Sequence, residues 1–294
     1  MLPCLKVRTS KLLPAILILM SIASAAPRIS VHGHRGARAA RPENSLPAFQ
    51  YALDIGVDVL ELDLAVTADD IVVVSHDATM NPKYCQGPAN AETVIRKMTF
   101  AQLRAWDCGA KPNPDFPQQQ PVPGTRVPTL QEVFDLVRKR NAKVEFNIET
   151  KINPARPELA PTPEKFVELL LAVLRKNNMV DRTIVQSFDY RTLHAMKRLE
   201  PRLRLSALSP VNAKAPHRPL TETAREAGAQ IVSPQYRTVK PEEVAAAHQA
   251  GLQVVPWTAN DPASWDVLIA AQVDAIITDD PAALIAHLKA KGLR

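Results

Sequence analysis

Histidine, arginine and carboxylate side chains gather between Val31 and Asp77, and each group stands at the end of a short apolar run. The groups are His34-Arg35-Gly36, Glu61-Leu62-Asp63 and His76-Asp77. Side chains in a strand alternate between its two faces, so Glu61 and Asp63 project to one side and can bind one cation together. Leu62 then packs on the opposite face. Two imidazoles, a guanidinium and paired acids predict a metal-assisted site for phosphoryl chemistry.

Apolar β-type runs alternate with helical patterns along the chain, which has 294 residues and is 46% hydrophobic. Strands are predicted at residues 29–33, 57–66, 143–150, 183–187, 202–208, 230–233, 252–258 and 274–278. Helices are predicted at residues 45–55, 130–139, 163–176, 190–199, 220–226, 241–249, 262–271 and 281–289. Strands alternating with helices favour a parallel sheet, and eight such units predict a closed (β/α)₈ TIM barrel, an α/β fold.

The rival architecture is an open, doubly wound sheet. Its dinucleotide fingerprint needs three glycines after the first strand, whereas His34-Arg35-Gly36-Ala37-Arg38 offers one. One segment also breaks the alternation, because residues 78–127 are rich in Pro, Gln and Asn. We interpret it as a proline-rich insertion after the second strand, with a short helix around 100–106 and an extra strand at 71–75 leading to His76.

The N-terminus has the layout of a secretory signal peptide. Lys6, Arg8 and Lys11 precede the apolar run 12–20, and the small residues 21–26 follow it. This pattern predicts a signal peptide at residues 1–26 and an exported domain at 27–294, either periplasmic or secreted. The alternative is an uncleaved anchor, but the run is shorter than the roughly 20 apolar residues that span a bilayer. We therefore expect no stable membrane insertion after cleavage.

Charge and cysteine content narrow the possible partners. Removing residues 1–26 takes away three basic residues and no acids, so the formal charge falls from +6 to +3. The mature chain lacks a basic run with interleaved aromatics, which argues against nucleic acid as a partner. Export favours a disulfide between the two remaining cysteines, Cys85 and Cys108, over two buried free thiols. No sequence feature indicates an oligomeric state.

The predicted barrel gathers the polar residues at one end. Active sites of such barrels lie at the C-terminal ends of the strands, and His34, Glu61, Asp63 and Glu149 fall at or near such ends. Lys151 follows Glu149 by two residues, so both side chains can share the inward face. The sequence therefore predicts a single pocket for a small-molecule substrate.

Several separated motifs extend this pattern along the chain. They are His34-Arg35-Gly36, Pro42-Glu43-Asn44-Ser45, Glu61-Leu62-Asp63, His76-Asp77, Asn147-Ile148-Glu149-Thr150-Lys151, Gln186-Ser187-Phe188, Trp257-Thr258-Ala259-Asn260 and Thr278-Asp279-Asp280-Pro281. Taken together, the chain from about His34 to Pro281 resembles the glycerophosphodiester phosphodiesterase family. The resemblance implies a (β/α)₈ barrel that hydrolyses glycerophosphodiesters, such as glycerophosphocholine, to an alcohol and sn-glycerol 3-phosphate with a divalent cation.

The resemblance also implies roles for individual residues. Metal ligands would be Glu61, Asp63 and Glu149; the acid and base would be His34 and His76; phosphate would be held by Arg35 and Lys151. Three carboxylates without a cysteine make a hard oxygen site, which suits Mg²⁺ or Ca²⁺ better than Zn²⁺. Trp257 stands at the end of a strand and is predicted as a wall of the substrate pocket, with barrel packing as the alternative.

The sequence leaves the role of Glu43 and the exact reaction open. Glu43 either reaches the pocket or, with Asn44, only shapes the start of the first helix. A second candidate function is a phospholipase D-like or lyase activity on lysophospholipid or sphingolipid head groups in the same barrel. A third is a non-catalytic protein that binds phosphodiesters or cations. The presence of His34 and His76 argues against the third, because binding alone needs no acid and base.

Overall fold

The computed structural model describes residues 28–209 and 217–294, together with Met1. The predicted signal peptide, residues 1–26, lies outside the described residues apart from Met1. Among the described residues, no helix combines the length and the apolar character that crossing a bilayer requires.

Nine strands and nine α-helices make up the described part of the chain. The strands are β1 (Ser30–Gly33), β2 (Val59–Val66), β3 (Val72–Val74), β4 (Glu145–Thr150), β5 (Thr183–Ser187), β6 (Arg204–Ser209), β7 (Ile231–Pro234), β8 (Gln253–Val254) and β9 (Ala275–Thr278). The helices are α1 (Leu46–Ile55), α2 (Phe100–Leu103), α3 (Leu130–Lys139), α4 (Pro163–Lys176), α5 (Tyr190–Leu199), α6 (Leu220–Ala227), α7 (Pro241–Gln249), α8 (Pro262–Ala270) and α9 (Pro281–Ala290).

Parallel strands form the wall of the barrel in the order β8-β7-β6-β5-β4-β2-β1-β9. The register places Glu61 of β2 beside Asn147 of β4, and Asp63 beside Glu149. The two ends of the sheet meet through backbone hydrogen bonds from Asp274 N to Val254 O and from Ile277 N to Pro256 O, both 3.0 Å long. The predicted closed barrel of eight parallel strands is thus confirmed.

The seam of the barrel is irregular at β8. The sequence predicts a strand at 252–258, but the ladder extends only over Gln253–Val254. Pro256 has no N–H to donate, which interrupts a regular ladder and leaves single hydrogen bonds on either side. One of these bonds runs from Trp257 N to Pro234 O at 3.0 Å, so the segment still follows β7.

Alternation along β2 separates the core from the site. Leu60, Leu62 and Leu64 are fully buried in the main apolar core between the barrel and its helices. Glu61 and Asp63 take the intervening positions and face the barrel interior, as the two-residue period of a strand requires. A separate apolar cluster, against which Trp257 packs, contains Ile184, Ile231, Val255, Ala275 and Ile277.

The insertion has a small hydrophobic core of its own and pairs with the barrel through one strand. Its first strand, β3, pairs antiparallel with β2, with Val74 beside Leu64. A second small core lies beneath the insertion and contains Met80, Ile95, Met98, Leu103, Trp106 and Val127. The predicted helix at 100–106 is shorter than expected, since α2 ends at Leu103. A disulfide joins Cys85 to Cys108, so the alternative of two free thiols is wrong.

Candidate active site

A tight turn after β1 carries His34 and Arg35 to the mouth of the barrel. Gly36 adopts a φ of 87°, and a Cβ at this position would lie 2.9 Å from Ala48 of α1. Glycine therefore allows the loop to approach the helix closely. Ser45 caps α1 by accepting a hydrogen bond from Ala48 N at 3.3 Å. The turn points the backbone N–H of Arg35 at Glu61 Oε2, 2.8 Å away.

Three buried carboxylates converge below this turn. Glu61, Asp63 and Glu149 each offer an oxygen, and these three atoms lie within 4.8 Å of one another. Burial raises the pKa of Glu61 well above its ordinary value, and the neighbouring charge of Asp63 raises it further. Burial likewise raises the pKa of Glu149 to about 7, although Lys151 opposes this shift. The cluster is therefore an environment that additional positive charge would stabilise.

Hydrogen bonding within the cluster leaves Asp63 Oδ1 without a donor. Asp63 Oδ2 accepts a hydrogen bond from Asn44 Nδ2 at 2.8 Å, whereas its buried Oδ1 has no hydrogen-bond partner among the described residues. Burial would raise the pKa of Asp63, but the charges of Lys151 and His76 outweigh it and hold this pKa below the ordinary range. A buried, charged oxygen of this kind fits a hard divalent cation.

Glu61 is fixed by two donors on the other side of the cluster. Its Oε2 accepts a hydrogen bond from Arg35 N, and its Oε1 accepts one from Gln186 Nε2 of β5 at 2.8 Å. Gln186 is itself held by Asn147, whose Nδ2 donates to Gln186 Oε1 at 3.0 Å. These contacts fix the carboxylate orientation, which is the function of residues that support metal ligands.

His34 is held by an acidic partner from the other end of the chain. Its Nδ1 lies 2.5 Å from Asp279 Oδ1, and Asp279 Oδ2 accepts a hydrogen bond from Asn260 Nδ2 at 2.6 Å. Burial lowers the pKa of His34, and the Asp279 carboxylate partly opposes this shift. With Nδ1 occupied, Nε2 is the ring nitrogen left for other contacts.

His76 has a similar support. Its Nδ1 lies 2.8 Å from Asp77 Oδ1. Asp77 Oδ2 accepts hydrogen bonds from Asn81 Nδ2 at 3.1 Å and from the Tyr84 hydroxyl at 3.3 Å. The hydrogen bond from His76 is the main reason that the pKa of Asp77 falls to about 2. Each imidazole thus has one nitrogen oriented by a carboxylate.

The predicted phosphate-binding cations lie between these elements. Arg35 NH1 donates to Glu43 Oε1 at 2.6 Å, and its Nε lies 3.4 Å from Asp63 Oδ2. Lys151 Nζ donates to Glu149 Oε1 at 2.8 Å. Glu43 therefore supports a cation of the site through this contact. The alternative that Glu43 and Asn44 only shape the helix start is wrong, because Ser45 caps the helix and Asn44 binds Asp63.

A cavity of about 350 Å³ opens above the carboxylates. His34, Arg35, His76 and Lys151 line it together with Glu61, Glu149 and Trp257. The Trp257 ring meets Phe188 edge-to-face at 5.5 Å between centroids, and its Nε1 donates to Ser233 O at 2.8 Å. Trp257 therefore forms a wall of the cavity and also packs against the barrel.

The structure brings together every site residue that the sequence predicts, from segments far apart in the chain. It adds residues that the sequence did not predict in the site, namely Asn44, Gln186, Phe188, Asn260 and Asp279. Each of these lies inside one of the motifs that carry the family resemblance, so the sequence does contain a signal for them. Their partners become visible only when the barrel closes.

A closed (β/α)₈ barrel with buried carboxylates, paired imidazoles and cations at one mouth is typical of enzymes that act on phosphate esters. The Glycerophosphoryl diester phosphodiesterase family model matches residues 34–283, and the chain belongs to this family. It is accordingly an enzyme that hydrolyses glycerophosphodiesters, a phosphoric diester hydrolase.

Individual relatives agree with this assignment. The chain is 32% identical over 262 residues to the glycerophosphodiester phosphodiesterase of Caldanaerobacter subterraneus subsp. tengcongensis, covering 89% of this chain and 98% of the relative. A crystal structure of a candidate glycerophosphoryl diester phosphodiesterase from Silicibacter pomeroyi DSS-3 superposes with a TM-score of 0.83 at 33% identity, covering 90% and 95% of the two chains. An Oleispira antarctica phosphodiesterase, solved with the product sn-glycerol-3-phosphate, shares the fold with a TM-score of 0.74 at 22% identity over 89% of this chain and 97% of that one.

Proposed function

We propose that this enzyme converts glycerophosphodiesters such as glycerophosphocholine to an alcohol and sn-glycerol 3-phosphate, and that it needs Mg²⁺ or Ca²⁺ for this reaction. The observation that carries the proposal is the convergence of Glu61, Asp63 and Glu149 within 4.8 Å, in a cavity that His34 and His76 also line. A cation held by these carboxylates would neutralise phosphate oxygens and lower the cost of charge that builds up in the transition state.

His34 and His76 supply the acid and the base in this proposal. An imidazole titrates near neutrality, so one unprotonated and one protonated ring can take a proton from the attacking oxygen and give one to the leaving alkoxide. Asp279 and Asp77 occupy one nitrogen of each ring, which directs the other nitrogen to proton transfer.

Arg35 and Lys151 hold the phosphate oxygens, and Trp257 forms a wall of the substrate cavity. The planar fork of Arg35 matches two phosphate oxygens, whereas the Lys151 ammonium acts as a compact charge. Both cations line the cavity, and both lie beside the carboxylate cluster. The phosphate is thereby placed where the cluster and both imidazoles can reach it.

The proposal is tested by incubating the purified protein with glycerophosphocholine and either Mg²⁺ or Ca²⁺. Release of sn-glycerol 3-phosphate is expected, and a chelator should stop it. His34→Ala should lower kcat by about 10²- to 10⁴-fold, whereas the matched control His194→Ala, at an exposed position on α5, should not. Turnover that survives the chelator would refute the metal requirement, and turnover that survives His34→Ala would refute the acid/base role.

A second candidate function has a specific observation in its favour. The chain is 34% identical over 131 residues to a lysophospholipase D of Mus musculus, covering 41% of this chain and 35% of that protein. Apolar residues of the cavity wall, Phe188, Leu208 and Ile277, could contact an acyl chain. Lysophosphatidylcholine in the same assay distinguishes the two candidates, since a kcat/KM above that for glycerophosphocholine would make lysophospholipid the better substrate.

Export of the enzyme is also proposed, with residues 1–26 removed as a signal peptide. The disulfide between Cys85 and Cys108 supports this proposal, because disulfides persist in oxidising compartments. Mass spectrometry of the full chain expressed in a bacterium with a periplasm provides the test. A new N-terminus close to Pro27 is expected, and a chain that keeps residues 1–26 would refute cleavage.

A further inference from the structure

Arg38 lies beside the catalytic cavity and has no role in the function proposed above. It follows the His34-Arg35-Gly36 turn, its side chain is 18% exposed, and it lines the cavity next to His34 and Arg35. Its NH2 lies 2.7 Å from Glu43 Oε2, and its Nε lies 3.9 Å from Asp279 Oδ1. A guanidinium carries five N–H donors, so these contacts leave donors for a ligand.

Arg38 keeps a hydrogen-bond donor that its carboxylate neighbours do not use. Glu43 is shared between two guanidinium groups, with Arg35 NH1 at 2.6 Å and Arg38 NH2 at 2.7 Å. The Nε of Arg38 is buried and has no hydrogen-bond partner among the described residues, since Asp279 Oδ1 lies 3.9 Å away. A phosphate oxygen is the kind of acceptor that would satisfy such an N–H group.

Arg38 also differs from the other two cations of the cavity. Arg35 lies 3.4 Å from Asp63, and Lys151 lies 2.8 Å from Glu149, so both are engaged with the carboxylate cluster. Among the described residues, Arg38 forms no ion pair with any carboxylate of that cluster. The three carboxylates of the cluster therefore do not neutralise the charge of Arg38.

The insertion holds Arg38 in place. The Phe116 ring lies under the guanidinium, with its centroid 4.5 Å from Cζ. Gln119 Nε2 donates to the backbone oxygen of Arg38 at 2.6 Å. Phe116 and Gln119 lie in two consecutive turns. Phe116 N donates a hydrogen bond to Asn113 O at 3.0 Å, and Gln119 N donates one to Phe116 O at 2.9 Å. This cation–π contact stabilises the guanidinium and leaves its N–H donors available for other acceptors.

We propose that Arg38 is a further phosphate-binding residue of this site, and that the proline-rich insertion positions it through Phe116 and Gln119. The inference rests on the proposed function, since the ligand is the phosphate group of the diester on which that reaction acts. The insertion thus forms part of the substrate site, where it orients the Arg38 guanidinium.

Arg38→Gln tests the binding role. We expect KM for glycerophosphocholine and the inhibition constant for inorganic phosphate both to rise about tenfold or more, with kcat changed less, because a charge-assisted hydrogen bond to bound phosphate is lost. The matched control is Arg104→Gln. Arg104 also lies over a phenylalanine of the insertion, with its Cζ 5.6 Å from the Phe100 centroid, but it is not part of the cavity lining.

Phe116→Leu tests the positioning role, with Phe100→Leu as its control. Loss of the ring contact should raise KM about two- to tenfold in Phe116→Leu, and leave KM unchanged in Phe100→Leu. Combined with Arg38→Gln, Phe116→Leu should add no further loss, because both changes act on one contact. An equal additional loss in the double variant would show that Phe116 acts independently of Arg38, and would overturn the positioning role.

Binding and turnover are measured separately so that the two proposals fail separately. A wild-type protein that releases no sn-glycerol 3-phosphate would refute the proposed function. Calorimetric titration of the metal-loaded protein with inorganic phosphate still tests Arg38 in that case. An Arg38→Gln variant that unfolds at the wild-type temperature and binds phosphate with wild-type affinity would overturn the inference about Arg38.

Discussion

Replacing Asp279 with asparagine is expected to reduce kcat sharply while the fold stays intact. Asp279 Oδ1 lies 2.5 Å from His34 Nδ1, and Asp279 Oδ2 accepts a hydrogen bond from Asn260 Nδ2 at 2.6 Å. In the variant, the Asn260 donor attracts the new amide oxygen, so the new NH₂ group faces His34. Nδ1 must then act as an acceptor, which moves the ring proton to Nε2.

The size of the effect follows from this change of tautomer. As a base, His34 needs a free lone pair on Nε2; as an acid, it needs the Asp279 charge to stabilise the imidazolium. Either role predicts a loss in kcat of about 10³-fold or more, as when the analogous aspartate of a catalytic triad is replaced by asparagine. KM should change little, because Asp279 contacts the imidazole and lies outside the lining of the substrate cavity.

The pH dependence should shift in a defined direction. Burial lowers the pKa of His34, and Asp279 is the main group that opposes this shift. Without that carboxylate, the pKa of His34 falls further, so the limb of the pH–rate profile that reports His34 should move to lower pH.

Steady-state release of sn-glycerol 3-phosphate between pH 5 and 9 provides the assay. Asp280→Asn is the matched control, since Asp280 caps α9 through Ala283 N at 3.0 Å and asparagine caps a helix equally well. The reasoning is refuted if Asp279→Asn keeps kcat within about threefold of wild type, or if the control loses as much activity.

Three further changes test the disulfide, the two faces of β2 and the support of Glu61. The Cys85→Ala/Cys108→Ala variant should lower the free energy of unfolding by about 3 kcal/mol in urea denaturation; an unchanged value would contradict a stabilising disulfide. Leu62→Ala should lower it by about 2–5 kcal/mol without weakening Ca²⁺ binding; a loss of binding would contradict the separation of the two faces of β2. Gln186→Leu should weaken Ca²⁺ binding about 10- to 100-fold in calorimetry, because Gln186 orients Glu61; wild-type affinity would contradict that role.

The fold could be predicted because short-range patterns in the sequence determine its strands and helices. Alternating residues in β2 separate Leu62 from Glu61 and Asp63, and the two-residue period alone assigns them to opposite faces. Repeated strand–helix units define the barrel, and the barrel places Glu149 at the same mouth. The seam was less predictable, because Pro256 interrupts a run that otherwise has the composition of a strand.

Contacts that depend on closure of the barrel could not be predicted. Asp279 reaches His34 across 245 positions of sequence, and only the junction of β9 with β1 brings them together. Phe116 lies in a segment without periodicity, so no pattern indicates that its ring meets Arg38. The residues that do the chemistry stand out by type and motif, whereas the residues that orient them become apparent from geometry.

In the proposed reaction, Glu61, Asp63 and Glu149 together bind one divalent cation at the mouth of the barrel, and every other role depends on this site. Anomalous diffraction from crystals grown with Mn²⁺ as a stand-in for Mg²⁺ tests it most directly. One peak is expected, bonded to an oxygen of each of the three carboxylates, and Glu149→Gln should weaken or remove it. An ion bound elsewhere, or no ion between the three carboxylates, would contradict the claim.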